Sequence, residues 1–307
     1  MLTYVIGDLF RSPAKVLVNT VNVVGVMGKG IAKDFKLIYP EMFHEYQRLC
    51  ESKELDIGRL SLHRTPHKWV LNFPTKKHWR NPSKLEYIEA GLTAFVRGYA
   101  DNSITSVAFP PLGCGNGELD WEHQVRPLME RYLKKLPIEV YIHLYQKSGS
   151  SPEHRDLEET KRWLRSEPES LAFSEVWEDI CELLDKRNDF VAVETHEPFR
   201  VQVTQSPETG LLVETDHSIF VPQDSILDAW QFLRAAGFLT AKGLTGGLDL
   251  NANQLFAVLS ELPYLKLTQI STRRGDSSEP FCQSVQLMSR ISQRPALQPS
   301  ALQTVLA

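Results

Sequence analysis

The stretch "NTVNVVGVMGKGIA", residues 19–32, decides how the first half of the chain is read. The apolar run "KVLVNTVN" enters it as a strand, and "GIAKDFKLI" leaves it as a helix that stops at Pro40. Strand, glycine loop and helix in that order make an anion cradle. Glycine lets backbone N–H groups come close to a phosphate, and the helix head adds the positive end of its dipole. Neither common nucleotide fingerprint fits. A P-loop needs G-x-x-x-x-G-K-[ST], whereas here Gly25 and Gly28 stand too close together and Lys29 is followed by Gly30. The dinucleotide pattern G-x-G-x-x-G is also absent.

A second stretch repeats the arrangement. "PPLGCGNGELDW", residues 110–121, follows the strand "SVAF" and precedes a helix marked by Val125, Leu128, Tyr132 and Leu136. One such loop is commonly a tight turn with packing glycines; two at strand ends can grip a diphosphate from both sides. The neighbouring segments continue the alternation. "LTYVIGDLF" and "IEVYIHLY" read as strands, "GRLSLHR" and "KWVLNFPT" as a strand pair. Met42, Phe43, Tyr46 and Leu49 recur at helical spacing, as do Leu85, Ile88, Leu92, Phe95 and Tyr99. The pattern predicts an α/β domain over residues 1–147, a mixed sheet sandwiched between helices.

The polar stretch "QKSGSSPEH", residues 146–154, reads as a linker. Beyond it, helical patterns near 155–166, 173–186, 224–236 and 252–261 surround a hairpin, "FRVQVTQSPETGLLVETD". They predict a second, smaller α+β domain over 155–270 with winged-helix-like features. Residues 271–307 are rich in Ser, Gln, Arg and Pro with little periodicity, which predicts a disordered tail.

Composition sets the class. The chain has 307 residues, 42% hydrophobic and 23% charged, as soluble globular proteins do. No apolar run approaches the roughly 20 residues of a membrane span, and "MLTYVIGDLF" does not read as a signal peptide. The four cysteines, Cys50, Cys114, Cys181 and Cys282, are scattered without a C-x-x-C pair, which fits a reducing cytoplasm. The net charge of −4 hides an asymmetry: +5 over residues 1–150, −11 over 151–270 and +2 over 271–307. Such a contrast either marks a partner surface or only solvates each half.

"GDLF" after the first strand, "NTVN" leading into "GVMGKGIA", and "PPLGCGNGELDW" together resemble the macrodomain family over about residues 1–146. The resemblance implies ADP-ribose binding. It assigns Asp8, with Leu9, to the adenine, Asn22 to the distal ribose, and Asn19 to the same ligand set. Gly28, Lys29, Gly30, Ile31 and Ala32 would form one side of the diphosphate grip. Pro111, Leu112, Gly113, Cys114, Gly115, Asn116 and Gly117 would form the other. "NFPTKKHWRNPSKLEYIEAGL" is similar to the branch that holds the human terminal ADP-ribose glycohydrolase and the DarG antitoxins, partners of DarT-type DNA ADP-ribosyltransferases. In that branch a lysine of the T-K segment is catalytic, which implies Lys76. Lys77 is the alternative, since adjacent strand residues point to opposite faces.

A neutral amine can attack the anomeric carbon of ADP-ribose. An aspartate used by the human enzyme in the second loop corresponds to Gly117 here, with Glu118 and Asp120 nearby, so a base-linked adduct gains over a carboxyl ester. His78, Trp79 and Arg80 follow as DNA-contact candidates: Trp to stack on a base, Arg to hold a phosphate. The bland alternative makes Trp79 a packing residue. Cys114 has no histidine beside it and His63 and His67 lack companion ligands, so neither a thiol nucleophile nor a metal site is read, and no cofactor is implied.

"LTAKGL…NANQLFAVLSELP" has helix-turn-helix character, but the −11 charge opposes duplex binding. An acidic surface suits a basic protein partner, here a DarT-like toxin; the alternative is a helper or dimerisation domain. The leading expectation is an ADP-ribosyl glycohydrolase acting on ADP-ribosylated single-stranded DNA as an antitoxin. Its rivals are a non-catalytic ADP-ribose reader and a hydrolase of ADP-ribosylated protein carboxylates.

Overall fold

The computed structural model describes residues 1–144, 152–206, 208–245, 248–271 and 281–288. The chain divides into two compact units, Met1–Lys161 and Arg162–Ala307.

In the first unit, β1 (Leu2–Val5) and β2 (Val16–Asn22) are followed by α1 (Gly30–Ile38) and α2 (Pro40–Glu51). The antiparallel pair β3 (Ser61–Arg64) and β4 (Trp69–Lys76) comes next, then α3 (Leu85–Gly98), β5 (Ser106–Phe109), α4 (Arg126–Leu133) and β6 (Glu139–His143). The six strands form one sheet in the order β1-β6-β5-β2-β4-β3, parallel except for β3 against β4. The mixed sheet expected from the alternation is therefore present.

Period-two alternation splits the strands between two cores. Leu17, Val21, Val70 and Ala108 pack with Phe35 of α1 and with Met42, Phe43 and Tyr46 of α2. Val16, Val18, Leu71, Phe73, Val107 and Phe109 pack with Ile88, Leu92 and Phe95 of α3 and with Leu128, Met129 and Leu133 of α4. Contact across the second face is close. A Cβ placed on Gly91 would stand 2.2 Å from the ring of Phe73, so α3 needs glycine there.

This topology fixes where chemistry can sit. β2, β4 and β5 are parallel neighbours in the middle of the sheet, so their C-terminal ends lie along one edge. That edge carries the loop after β2, the loop after β5 and the last residue of β4, Lys76. Open α/β sheets bind ligands at this edge.

The expected linker is only partly one. Residues 145–151 lie outside the described residues, but Glu153–Arg155 forms a tight helical turn with Glu153 buried. It is followed by α5 (Leu157–Arg165), and the first unit runs to Lys161 rather than to 147.

The second unit contains α6 (Phe173–Lys186), then β7 (Asp189–Val191), β8 (Pro198–Thr204), β9 (Gly210–Glu214) and β10 (Ser218–Pro222), which form an antiparallel sheet in the order β10-β9-β8-β7. The expected hairpin is the β8–β9 pair. α7 (Gln223–Ala236) ends on Gly237, whose φ of 79° is the left-handed stop that favours glycine. β11 (Phe238–Thr240), α8 (Ala252–Leu259), β12 (Leu265–Ile270) and β13 (Cys282–Leu287) complete the unit, with the three strands ordered β11-β13-β12. Two antiparallel sheets make this more sheet-rich than a winged-helix reading implies. The Arg165 guanidinium meets the Asp179 carboxylate, which also accepts the Tyr264 hydroxyl at 3.0 Å.

Within the expected tail from 271, one strand, β13, is among the described residues. Its Ser/Gln-rich pattern hides Val285, which is fully buried and pairs with both Leu239 and Leu267. Residues 272–280 and 289–307 lie outside the described residues. Among the described residues no helix is long and apolar enough to cross a membrane.

Candidate active site

The first glycine loop is shaped from within by Asn22. Its side-chain oxygen accepts from the N–H groups of Val24 (3.1 Å) and Val26 (3.3 Å), and its Nδ2 donates to the Val26 carbonyl (2.6 Å). The buried Tyr46 hydroxyl donates to the Asn22 backbone oxygen (2.9 Å) and lies 3.0 Å from its side-chain oxygen. Gln47 donates to the Gly25 carbonyl (3.3 Å). α2 thus braces the loop from behind, and the loop delivers the backbone of residues 28–32 to the head of α1. Asn22 was expected at the distal ribose; its side chain is first of all the organiser of this loop. Asn19, also expected in the ligand set, is fully buried and donates to the Asn72 side chain at 3.0 Å as a core amide pair.

The second loop closes on itself. Gly113 takes φ of 70°, and its carbonyl accepts the Leu119 N–H (3.0 Å). Gly117 is held by its neighbours: its carbonyl accepts the Ser83 N–H (3.0 Å), and a Cβ there would lie 2.2 Å from Ser83 Oγ and 2.3 Å from the Gly113 oxygen. A side chain at position 117 would force the loop to shift, and the nearby acids have partners of their own. Asp120 caps the helical turn before α4 by accepting the His123 N–H (2.7 Å). Glu118 pairs with His154 and Arg155. The Leu112 side chain belongs to the core. Cys114 is no thiolate, for burial pushes its pKa up to about 12.

The two loops meet at Asn116, and Lys76 joins them there. A Cβ on Gly30 would stand 2.9 Å from Asn116 Nδ2, so α1 begins in direct contact with the second loop. Lys76 Nζ donates to the Asn116 carbonyl at 2.7 Å. Register explains why this lysine points inward. Along β2 and β4, Val21 pairs with Pro74 but Asn22 pairs with Lys76, so a bulge at Thr75 re-aims the strand end. Lys76 is 6% exposed, while Lys77 is exposed. Burial lowers the Lys76 pKa from the ordinary lysine value, opposed by the carboxylates of Glu153 and Glu118.

Of the remaining candidates, Asp8 is exposed and caps the turn Leu9–Arg11, accepting the Phe10 N–H at 3.0 Å. Trp79 is fully buried with the Arg80 guanidinium 4.2 Å from its ring centre, so base stacking by Trp79 gives way to packing. His78 and Arg80 stay partly exposed. Among the described residues no three His, Cys, Asp or Glu side chains gather as a metal site. Sequence reasoning missed Tyr46, Gln47, Ser83 and Glu153 as parts of this region. Tyr46 was visible only as one apolar position of a helix, and Glu153 only as a charge in a linker.

Residues 18–128 match the family model of the macro domain. A DNA ADP-ribosyl glycohydrolase from Mycobacterium tuberculosis is 50% identical over 155 residues, 49% of this chain and 44% of that protein. A DNA ADP-ribosyl transferase-DNA ADP-ribosyl glycohydrolase fusion protein from Thermosipho africanus is 41% identical over 162 residues, 47% of this chain and 42% of that protein. The solved macrodomain of Mycobacterium tuberculosis DarG is 49% identical, covers 48% of this chain and 99% of its own, and superposes with a TM-score of 0.46. The chain spans less than half the length of the two curated relatives.

Proposed function

We propose, from the premise that the first unit of this chain is a macro domain, that the protein is an ADP-ribosyl glycohydrolase. It releases ADP-ribose from modified bases of single-stranded DNA and acts as the antitoxin of a DarT-like DNA ADP-ribosyltransferase. The observation that carries the reading is Lys76: a buried amine at the strand edge between two anion-binding loops, with its pKa lowered by burial. A module that only reads ADP-ribose has no use for such a group.

The chemistry follows from that placement. The glycine loops hold the diphosphate by backbone N–H groups, which directs the distal ribose toward Lys76. Neutral Lys76 attacks the anomeric carbon, the bond to the base nitrogen breaks, and the base leaves with a proton. The sugar ring opens to an imine on Nζ as the ring oxygen takes the remaining amine proton and becomes a hydroxyl. Water then adds to that carbon, the C–N bond to Lys76 breaks, and free ADP-ribose and the amine are restored. His78 and Arg80 are the candidates for contact with the DNA backbone. Gly117 stands where the resemblance to the human terminal ADP-ribose glycohydrolase implies an aspartate, which supports a base-linked substrate over a carboxyl ester.

The likeness to a fusion protein joining transferase and glycohydrolase supports a DarT-like partner. The acidic stretch, −11 over residues 151–270, supports docking on a basic, DNA-binding surface of that partner. The activity test offers the protein ADP-ribosylated single-stranded DNA and ADP-ribosylated protein side by side. Release from DNA is expected. Release from protein alone would move the assignment to carboxylate esters, and binding of ADP-ribose without release from either would make the chain a reader.

A further inference from the structure

The segment after the first sheet stays at the site. Glu153 is 6% exposed, and the backbone N–H of Lys29, the residue at the head of α1, is among the groups that favour its charged form. Thr160, fully buried, donates its hydroxyl to the Glu153 carbonyl (3.4 Å). His154 Nε2 lies 2.8 Å from Glu118 of the second loop, and Arg155 pairs with the same carboxylate. Glu118 itself sits at φ of 62°, a left-handed conformation that non-glycine residues seldom adopt and that persists only where its surroundings hold it. Residues 153–155 are therefore tied to both glycine loops.

Burying a carboxylate is costly unless cations and donors compensate for lost water. Here burial raises the Glu153 pKa while Lys76, Lys29 and the Lys29 N–H oppose that rise. These are the groups that the proposed function assigns to ADP-ribose. A carboxylate and a phosphate compete for the same cations and N–H groups, and two anions held close together repel more strongly away from water.

We propose that Glu153 is an affinity-setting residue of the ligand site: its carboxylate holds an anion position on the first glycine loop, and ADP-ribose binds by displacing it. The inference rests on the ADP-ribose reading. Its consequence is that apparent affinity is reduced by the fraction of molecules in which Glu153 occupies the loop. His154 and Arg155, by anchoring to Glu118, keep that fraction high.

Calorimetric titration of the full chain with ADP-ribose, and separately with inorganic pyrophosphate, tests this. Glu153→Gln keeps the shape and removes the charge; Arg155→Ala loosens the anchor while His154 still holds Glu118. Both are expected to bind ADP-ribose and pyrophosphate more tightly than the natural sequence, the former by about fivefold or more and the latter by less. Equal or weaker binding by Glu153→Gln overturns the proposal. So does unchanged affinity with slower turnover at saturating substrate, which would make Glu153 a catalytic group. Tighter pyrophosphate binding by the variants, with no ADP-ribose binding by any form, would sink the ADP-ribose reading and overturn the displacement of Glu153 by ADP-ribose, leaving only its hold on an anion position.

Discussion

Lys76 shows how a single residue's role depends on a fold that its own segment cannot reveal. "TKKHW" offers two adjacent lysines, and only the bulge at Thr75 decides that Lys76 turns inward and Lys77 outward. Burial lowers the Lys76 pKa, and the attacking amine must be neutral, so the reactive fraction grows as pH rises through that lowered value. The rate of ADP-ribose release is accordingly expected to climb with pH and level off below the ordinary lysine range. A profile still climbing through that range would contradict the assignment. Lys77→Ala is expected to leave both the profile and the rate nearly unchanged. Trp79 and Asn19 carry the opposite lesson: both have the right chemistry for a ligand contact, and the sheet buries both. Burial is a product of long-range packing, so it was not legible in the short motifs that nominated them.

At the level of elements, strand–helix alternation was legible because the apolar periods are long and clean, and α3 illustrates it with Ile88, Leu92 and Phe95 on one face. The two glycine loops were legible as well. What holds them in shape was not, since Tyr46 and Ser83 lie 24 and 34 residues from Asn22 and Gly117 along the chain. Gly117→Ala is expected to cost about 1–3 kcal/mol of stability through overpacking against Ser83 and the Gly113 carbonyl, and to weaken ADP-ribose binding by distorting the second loop. Urea unfolding and ligand titration check the two effects; a variant as stable as the natural sequence and equally tight would show that the loop can shift to accept a side chain. Tyr46→Phe is expected to cost about 1 kcal/mol in the same unfolding measurement by removing the buried hydroxyl that donates to the Asn22 backbone oxygen.

For the whole molecule, the division into an α/β unit and an acidic second unit was legible from composition and charge. Its limits were not, because β13 contributes through pairing with strands far back in the sequence, and because residues 153–155 return to the loops across a polar stretch. If the acidic second unit docks on a basic toxin, reversing several of its surface carboxylates should abolish capture of a DarT-like partner while ADP-ribose release from DNA persists. Capture that survives such reversal would place the docking surface on the first unit. The central claim is that Lys76 cleaves the bond between ADP-ribose and a DNA base. Its most direct measurement is release of ADP-ribose from modified single-stranded DNA by the natural sequence and by Lys76→Ala, with ADP-ribose affinity recorded for both. The account predicts affinity within a few-fold and a rate lowered on the order of a thousandfold or more; equal rates would contradict it.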